Sequence, residues 1–191
     1  MMHLTPGFAD PVLDAQASFR AILEAMSRPG RIQRIEARIT PPAPLSTAAA
    51  VALLSLADAD TPLWLDAGEA VAEWLRFHCG APITQEIGAA RFALACGAAP
   101  SLDTLDVGTD EDPQLGATLI LQVAGLVAGD GWRLTGPGIQ HEHRLHVLGA
   151  PADFAAAWAR NHALFPRGVD VLLCARDSIA ALPRSVTIAE G

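Results

Sequence analysis

Lysine and tyrosine are both absent from this sequence. All 13 basic residues are therefore arginines, and no side chain can form a pyridoxal-phosphate (PLP) aldimine or reach a phosphate as a P-loop lysine does. Positive charge is also scarce as a sum, since 21 acidic residues leave a formal net charge of −8. Nucleic-acid binders carry a basic patch or stripe. The closest approach to one is Arg28, Arg31, Arg34 and Arg38, which would not share a face if the chain passes there from helix to strand. This speaks against bulk nucleic-acid binding, while two or three arginines still suffice to hold a single nucleotide or phosphonate. No apolar run is long enough to span a bilayer, and Met1–Gly7 has no basic region ahead of an apolar core, so a cytoplasmic protein without membrane association is expected. Cysteine is limited to Cys79, Cys96 and Cys174, odd in number and without a C-x-x-C pair. Each lies in or beside an apolar run, which suits small buried hydrophobes in a reducing compartment.

What is present is apolar and rich in alanine. A chain of 191 residues with 51% hydrophobic content can bury a core without metal or disulfide, and residues 1–191 read as one α/β domain. Charged residues make up 18%, below the usual quarter, which leaves surface that partner chains could cover.

Asp10-Pro11 opens a helix as N-cap and first turn, and Val12, Ala15, Phe19, Ile22, Leu23 and Met26 recur on one face until Arg28-Pro29-Gly30 stops it. Residues 31–39 alternate basic and apolar, as an exposed strand would. A buried helix is expected over Ala48 to Ala57, capped by Ser46 or Thr47, and a short strand at Leu63-Trp64-Leu65. Asp66 with Glu69 resembles a capping box for a helix that ends at Gly80. Arg91 to Cys96 is a strand candidate, and Asp103 to Gln114, with no basic residue, reads as a solvated loop or helical turn. Thr118 to Val127 is strongly β-prone, and Asp130-Gly131 reads as a tight turn into Trp132–Thr135. A strand at Leu145–Leu148, a helix from Pro151 bearing Phe154, Ala157, Trp158 and Leu164, a central strand over Val169–Cys174 and a last strand at Val186–Ile188 complete a mixed sheet flanked by helices.

Three constellations bear on chemistry. His141 and His143 would point the same way in an extended segment and could grip a metal, with His146 nearby, but a third ligand is missing and Glu142 faces away. Ser46, Ser55, Ser101 and Ser178 sit in cap, helix or loop contexts, with no G-x-S-x-G elbow. Gly136-Pro137-Gly138 lacks dinucleotide-fingerprint spacing and reads as a rigid turn closing a strand. Arginines on proline- and glycine-defined corners carry more weight: Arg28-Pro29-Gly30, Pro166-Arg167-Gly168 and Pro183-Arg184. A stiff corner holds a guanidinium at low entropic cost, which suits anion recognition or interface anchoring. Salt bridges offer the plainer alternative, with Asp170 beside Arg167 and Asp177 on the approach to Arg184.

Taken in order, Phe8–Gln16 with Phe19-Arg20, Ala25–Gly30, Gly116-Ala117-Thr118, Leu134–Ile139, Phe165–Asp170 and Ala181–Ser185 resemble the PhnH family, the H subunit of the bacterial carbon–phosphorus lyase system. The resemblance implies an α/β fold similar to PLP-dependent transferases but without PLP or any other cofactor. It also implies a homodimer when alone, and membership of a core complex with the G, I and J subunits. That assembly, with ATP, makes a ribose-triphosphate-linked phosphonate and then cleaves its C–P bond by radical chemistry on another subunit. The family leaves the H subunit's own chemistry undefined. An accessory subunit with no catalytic residue or metal is therefore expected, with Arg28, Gly136, Pro137, Gly138, Ile139, Arg167, Gly168, Asp170, Pro183 and Arg184 as binding or interface residues. Two alternatives remain: a phosphorylated-ligand or nucleotide-binding enzyme using Arg167 and Arg184 as an anion clamp, and a metal-dependent hydrolase using His141 and His143, which lie outside the family strings.

Overall fold

The computed structural model describes residues 5–190. Met1–Leu4, part of the stretch inspected for a leader, lies outside them, as does Gly191. Helix α1 (Pro11–Ser27) begins where expected, the Asp10 carboxylate accepting from the amides of Val12 and Leu13. Its buried line is Ser18, Ile22 and Ala25, however, while Val12, Phe19 and Leu23 are 70%, 49% and 56% exposed. Small side chains let the helix close against the alanine-rich α2 (Thr47–Leu56), and the bulkier apolar residues are left outside. Ser46 caps α2, whose residues Ala48 to Leu53 are all buried. No described helix is long and apolar enough to cross a membrane.

The main sheet combines β1 (Gln33–Arg34), β2 (Leu63–Leu65), β3 (Phe92–Ala95), β4 (Thr118–Gln122), β7 (Asp170–Ala175) and β8 (Ser178–Leu182) in the order β1-β8-β7-β4-β3-β2. Strands β2, β3, β4 and β7 run parallel, and β8 and β1 are antiparallel additions at one edge. The expected strand over 31–39 shrinks to two residues because β8, its neighbour, starts only at Ser178 after the Arg176–Asp177 turn, so past the Ile35 amide, which donates to the Asp177 carbonyl, the segment has no neighbouring strand among the described residues. Ser178 is no loop residue: it starts β8, whose Ser-Ile-Ala-Ala-Leu sequence carries too little β-propensity to announce a strand.

A second, three-stranded sheet has the order β6-β5-β9, from β5 (Gly125–Thr135), β6 (His143–Leu148) and β9 (Thr187–Ala189). The β-prone run 118–127 is thus split between two sheets. Asp130-Gly131 is no turn, since β5 continues through it and absorbs the extra residues as a bulge between Ala128 and Trp132. The hairpin is β5–β6, closed by residues 136–142.

Alternation along the main sheet feeds two cores. Leu94, Ile120, Leu172 and Ile179 face α1, α2 and α3 (Glu69–Cys79), together with Leu53, Trp74 and Leu75. Leu119, Leu121, Val171, Leu173 and Leu182 face the opposite side, where α4 (Phe154–His162) and the small sheet supply Phe154, Trp158, Leu134 and Leu145. Trp132, Phe154 and Trp158 stack in series, and Trp158 Nε1 donates to the Val186 carbonyl at 2.7 Å. Full burial of side chains of this size stabilises by roughly 1.5–3 kcal/mol each. Leu164, expected within the helix, lies beyond it and is 36% exposed.

Candidate functional site

The corners that carry the family strings meet around the turn that follows β8. Proline at 183 ends that strand, and Arg184 swings back across the mouth of β7. Its Nε and Nη2 donate to the two carboxylate oxygens of Asp170 at 3.1 and 2.6 Å, its backbone amide donates to Asp170 Oδ1 at 2.7 Å, and Nη1 donates to the Pro113 carbonyl at 2.5 Å. The two side chains are only 12% and 18% exposed. This is a bidentate fork in which each guanidinium nitrogen already donates one hydrogen bond, held in a setting where its energy is little diluted by water. The expected partners are therefore exchanged: Asp170 holds Arg184 rather than Arg167, and Asp177 holds Arg34. Gly116 permits the close fit, because a Cβ there would collide with the Gly168 carbonyl and lie 2.7 Å from Arg184 Nη1.

Arg167 Nε lies 3.0 Å from Asp110 Oδ1, at ion-pair distance but without the alignment of a hydrogen bond. Asp110 belongs to the acidic stretch that reads from sequence as a solvated loop. In the fold, arginines from several elements pin that stretch. Arg160 on α4 pairs with Asp103 at 3.0 Å, Arg91 donates to the Leu115 carbonyl, and Arg184 takes Pro113. Asn161, which sequence reasoning passed over, completes the corner: its buried amide donates to the Val169 carbonyl at 2.9 Å and accepts from the Val169 amide at 2.8 Å. His162 Nδ1 sits 3.0 Å from the Arg184 carbonyl. An asparagine inside an otherwise apolar helix stripe was the available signal.

Gly136-Pro137-Gly138-Ile139 forms the expected turn, with the Ile139 amide donating to the Gly136 carbonyl at 3.1 Å. Gly138, at φ +82, lies so close to the Ser27 carbonyl that a Cβ would clash, and Gly136 backs onto Ser185 and Val186. Gly30 donates to the Ala181 carbonyl at 3.2 Å. Arg28, Pro29, the glycine turn, Gly168, Asp170, Pro183 and Arg184 therefore border one band around the end of β8. The Arg28 guanidinium itself turns away to Glu24, at 2.9 Å.

This band lies at the amino ends of the parallel strands, whereas open α/β sheets bind ligands at the carboxyl ends. There the polar groups hold loops. Asp66, expected to cap α3, instead accepts from the amides of Cys96 and Gly97 at 2.7 and 3.0 Å, and Gly68 takes the cap position. Gln122 accepts from the Ser46 amide at 2.5 Å and donates to Pro44 at 3.1 Å. A cavity of about 270 Å³ at these ends is lined by Gly97, Ala99, Leu121, Gln122, Gly149 and Pro151 among others, none of them charged. Burial, reinforced by the Asp66 carboxylate, pushes the Cys96 thiol up to about 12, and burial raises Cys174 and Cys79 as well. These are packing thiols, not nucleophiles. His143 is half-buried and His141 and His146 are exposed, and no group of three His, Cys, Asp or Glu among the described residues is placed to hold a metal.

Residues 6–189 match the family model described as bacterial phosphonate metabolism protein (PhnH). The chain is 38% identical over 186 residues to the α-D-ribose 1-methylphosphonate 5-triphosphate synthase subunit PhnH of Rhizobium meliloti, covering 95% of this chain and 93% of that relative. It is also 34% identical over 179 residues to a putative C-P lyase subunit protein, HtxG, of Stutzerimonas stutzeri, covering 91% and 85%. With the corner residues in one band and the match running from end to end of the described fold, the chain belongs to the bacterial phosphonate metabolism protein (PhnH) family.

Proposed function

We propose that this chain is an accessory, non-catalytic subunit of a carbon–phosphorus lyase core complex, supporting conversion of an alkylphosphonate and ATP to the ribose-triphosphate phosphonate. The observation that carries this reading is the near full-length similarity to a relative named as a subunit of that synthase. The state of the arginines supports it. Arg184 spends hydrogen bonds from all three guanidinium nitrogens on Asp170 and Pro113, so the two arginines do not stand together as a free clamp for a phosphorylated ligand. On this reading the band around β8 stiffens the fold behind an interface, the chain forms a homodimer when alone, and its partners are the G, I and J subunits. Co-expression with candidate G, I and J subunits followed by size-exclusion chromatography tests it. Elution of this chain apart from all of them would end the proposal. Calorimetry of the isolated chain with ATP and an alkylphosphonate tests the competing ligand-binding reading, which requires a saturable heat. The sheet is further read as related to the PLP-dependent transferase fold. With no lysine in the chain there is no residue to hold PLP as an aldimine.

A further inference from the structure

Large apolar side chains point outward at the corner where α4 runs into β7. Phe165 is 59% and Leu115 43% exposed, and Leu164, also exposed, precedes Phe165 in the turn after α4. The two segments are joined in space, since a Cβ on Gly116 would strike the Gly168 carbonyl. Both are tied down. The amides of Leu164, Phe165 and Arg167 donate to the carbonyls of Asn161, His162 and Leu164 at 3.1, 3.1 and 3.0 Å, and the Gly168 amide donates to Val107 at 2.9 Å. The Leu115 amide donates to the Asp112 carbonyl at 3.1 Å, and the Leu115 carbonyl accepts from Arg91. Apolar side chains on backbone that is already ordered lose little entropy when a partner covers them, which is the profile of an interface anchor.

The rim of this patch is acidic. Asp110, Glu111 and Asp112 form the turn that leads from Arg167, 3.0 Å from Asp110, to Leu115. Asp106 precedes Val107, which meets Gly168. Arg184 cancels Asp170 and Arg160 cancels Asp103, so four carboxylates stand against two guanidiniums, those of Arg91 and Arg167. Asp106 and Asp112 each spend one oxygen on an uncharged donor, the Gly108 amide and the Gln114 side chain. Glu111 has no ion-pair partner among the described residues.

We infer that Leu115, Leu164 and Phe165, rimmed by the turn at residues 110–112, dock an amphipathic, basic segment of another polypeptide. The excess of carboxylate decides the occupant. A second copy pairing the same patch about a two-fold axis would set carboxylate against carboxylate. Lysine or arginine flanking apolar residues instead neutralises the rim as it leaves water. The inference rests on the accessory-subunit reading for the source of that segment, and it gives that reading a face.

Affinity of the chain for the G, I and J subunits is the readout. Phe165→Ser, which removes the anchor, should weaken assembly at least tenfold, and Glu111→Lys, which reverses an unpaired rim charge, at least threefold. The melting temperature of the isolated chain should not change in either. Should Phe165→Ser melt early, Leu115→Ser takes its place. Unchanged affinity in the apolar variant overturns the docking face, and unchanged affinity in Glu111→Lys overturns the basic occupant, with the accessory-subunit reading left standing. A dimer of the chain alone that Phe165→Ser dissolves names a second copy as the occupant and also overturns the inference. If no assembly forms with the tested subunits, the functional reading falls, and the patch is judged with a short amphipathic peptide of leucine and lysine against its leucine–glutamate counterpart. Saturable binding of the lysine peptide, lost in Phe165→Ser, supports the patch; equal or absent binding of both peptides overturns it.

Discussion

Arg184 shows how a residue suited by type to bind an anion can be committed to structure. Its fork is closed by Asp170, so removing one partner leaves the other charged and mostly buried. Asp170→Asn should destabilise the fold by about 3 kcal/mol, measured by urea unfolding. Arg184→Lys should recover little of the original stability, because an ammonium cannot match both carboxylate oxygens and the Pro113 carbonyl together. The thiols make a complementary case. Burial raises Cys96, Cys174 and Cys79 above the ordinary thiol value of 9.0. A raised folded value means the neutral thiol is favoured, so its contribution is complete below pH 9 and is lost as pH climbs toward 12. Native protein at pH 8 should therefore resist iodoacetamide far longer than urea-unfolded protein, and stability should begin to fall above pH 9.

At the scale of elements, the turn joining β7 to β8 is built with an arginine where glycine is easier. Arg176→Gly should raise stability by about 0.5–1 kcal/mol, read from the urea midpoint, since relief of the left-handed backbone outweighs the added chain entropy. The sequence announced those elements whose punctuation is local. Asp10-Pro11 and Pro29-Gly30 bound α1, Ser46 caps α2 and Gly80 ends α3. It was silent where the decision is tertiary. Nothing local tells β5 to run on through Asp130-Gly131, because its partner β6 supplies the ladder that a bulge can bridge. Nor does Ser-Ile-Ala-Ala-Leu announce β8, a strand made by burial between β1 and β7. The corner arginines were legible as a group from their prolines and glycines. Their partners were not, since Asp110 and Asp170 reach them only through the fold.

For the whole molecule, two cores share one sheet. Trp74 reports on the layer with α1, α2 and α3, and Trp132 and Trp158 report on the other. Cores that share strands should melt together, so tryptophan fluorescence and far-ultraviolet circular dichroism should give one coincident transition. Leu53→Ala and Leu173→Ala, one in each core and both fully buried, should each lower that same midpoint, by about 2–5 kcal/mol in stability. Two separated transitions would instead divide the chain into independent units.

The arginine-pinned acidic stretch gives the molecule a buckle. Arg91, Arg160, Arg167 and Arg184 fasten residues 103–115 across the ends of several strands without a covalent cross-link. A buckle of four prongs fails differently from a covalent bridge: loosening one prong leaves the strap under three, and high salt slackens the exposed ones first.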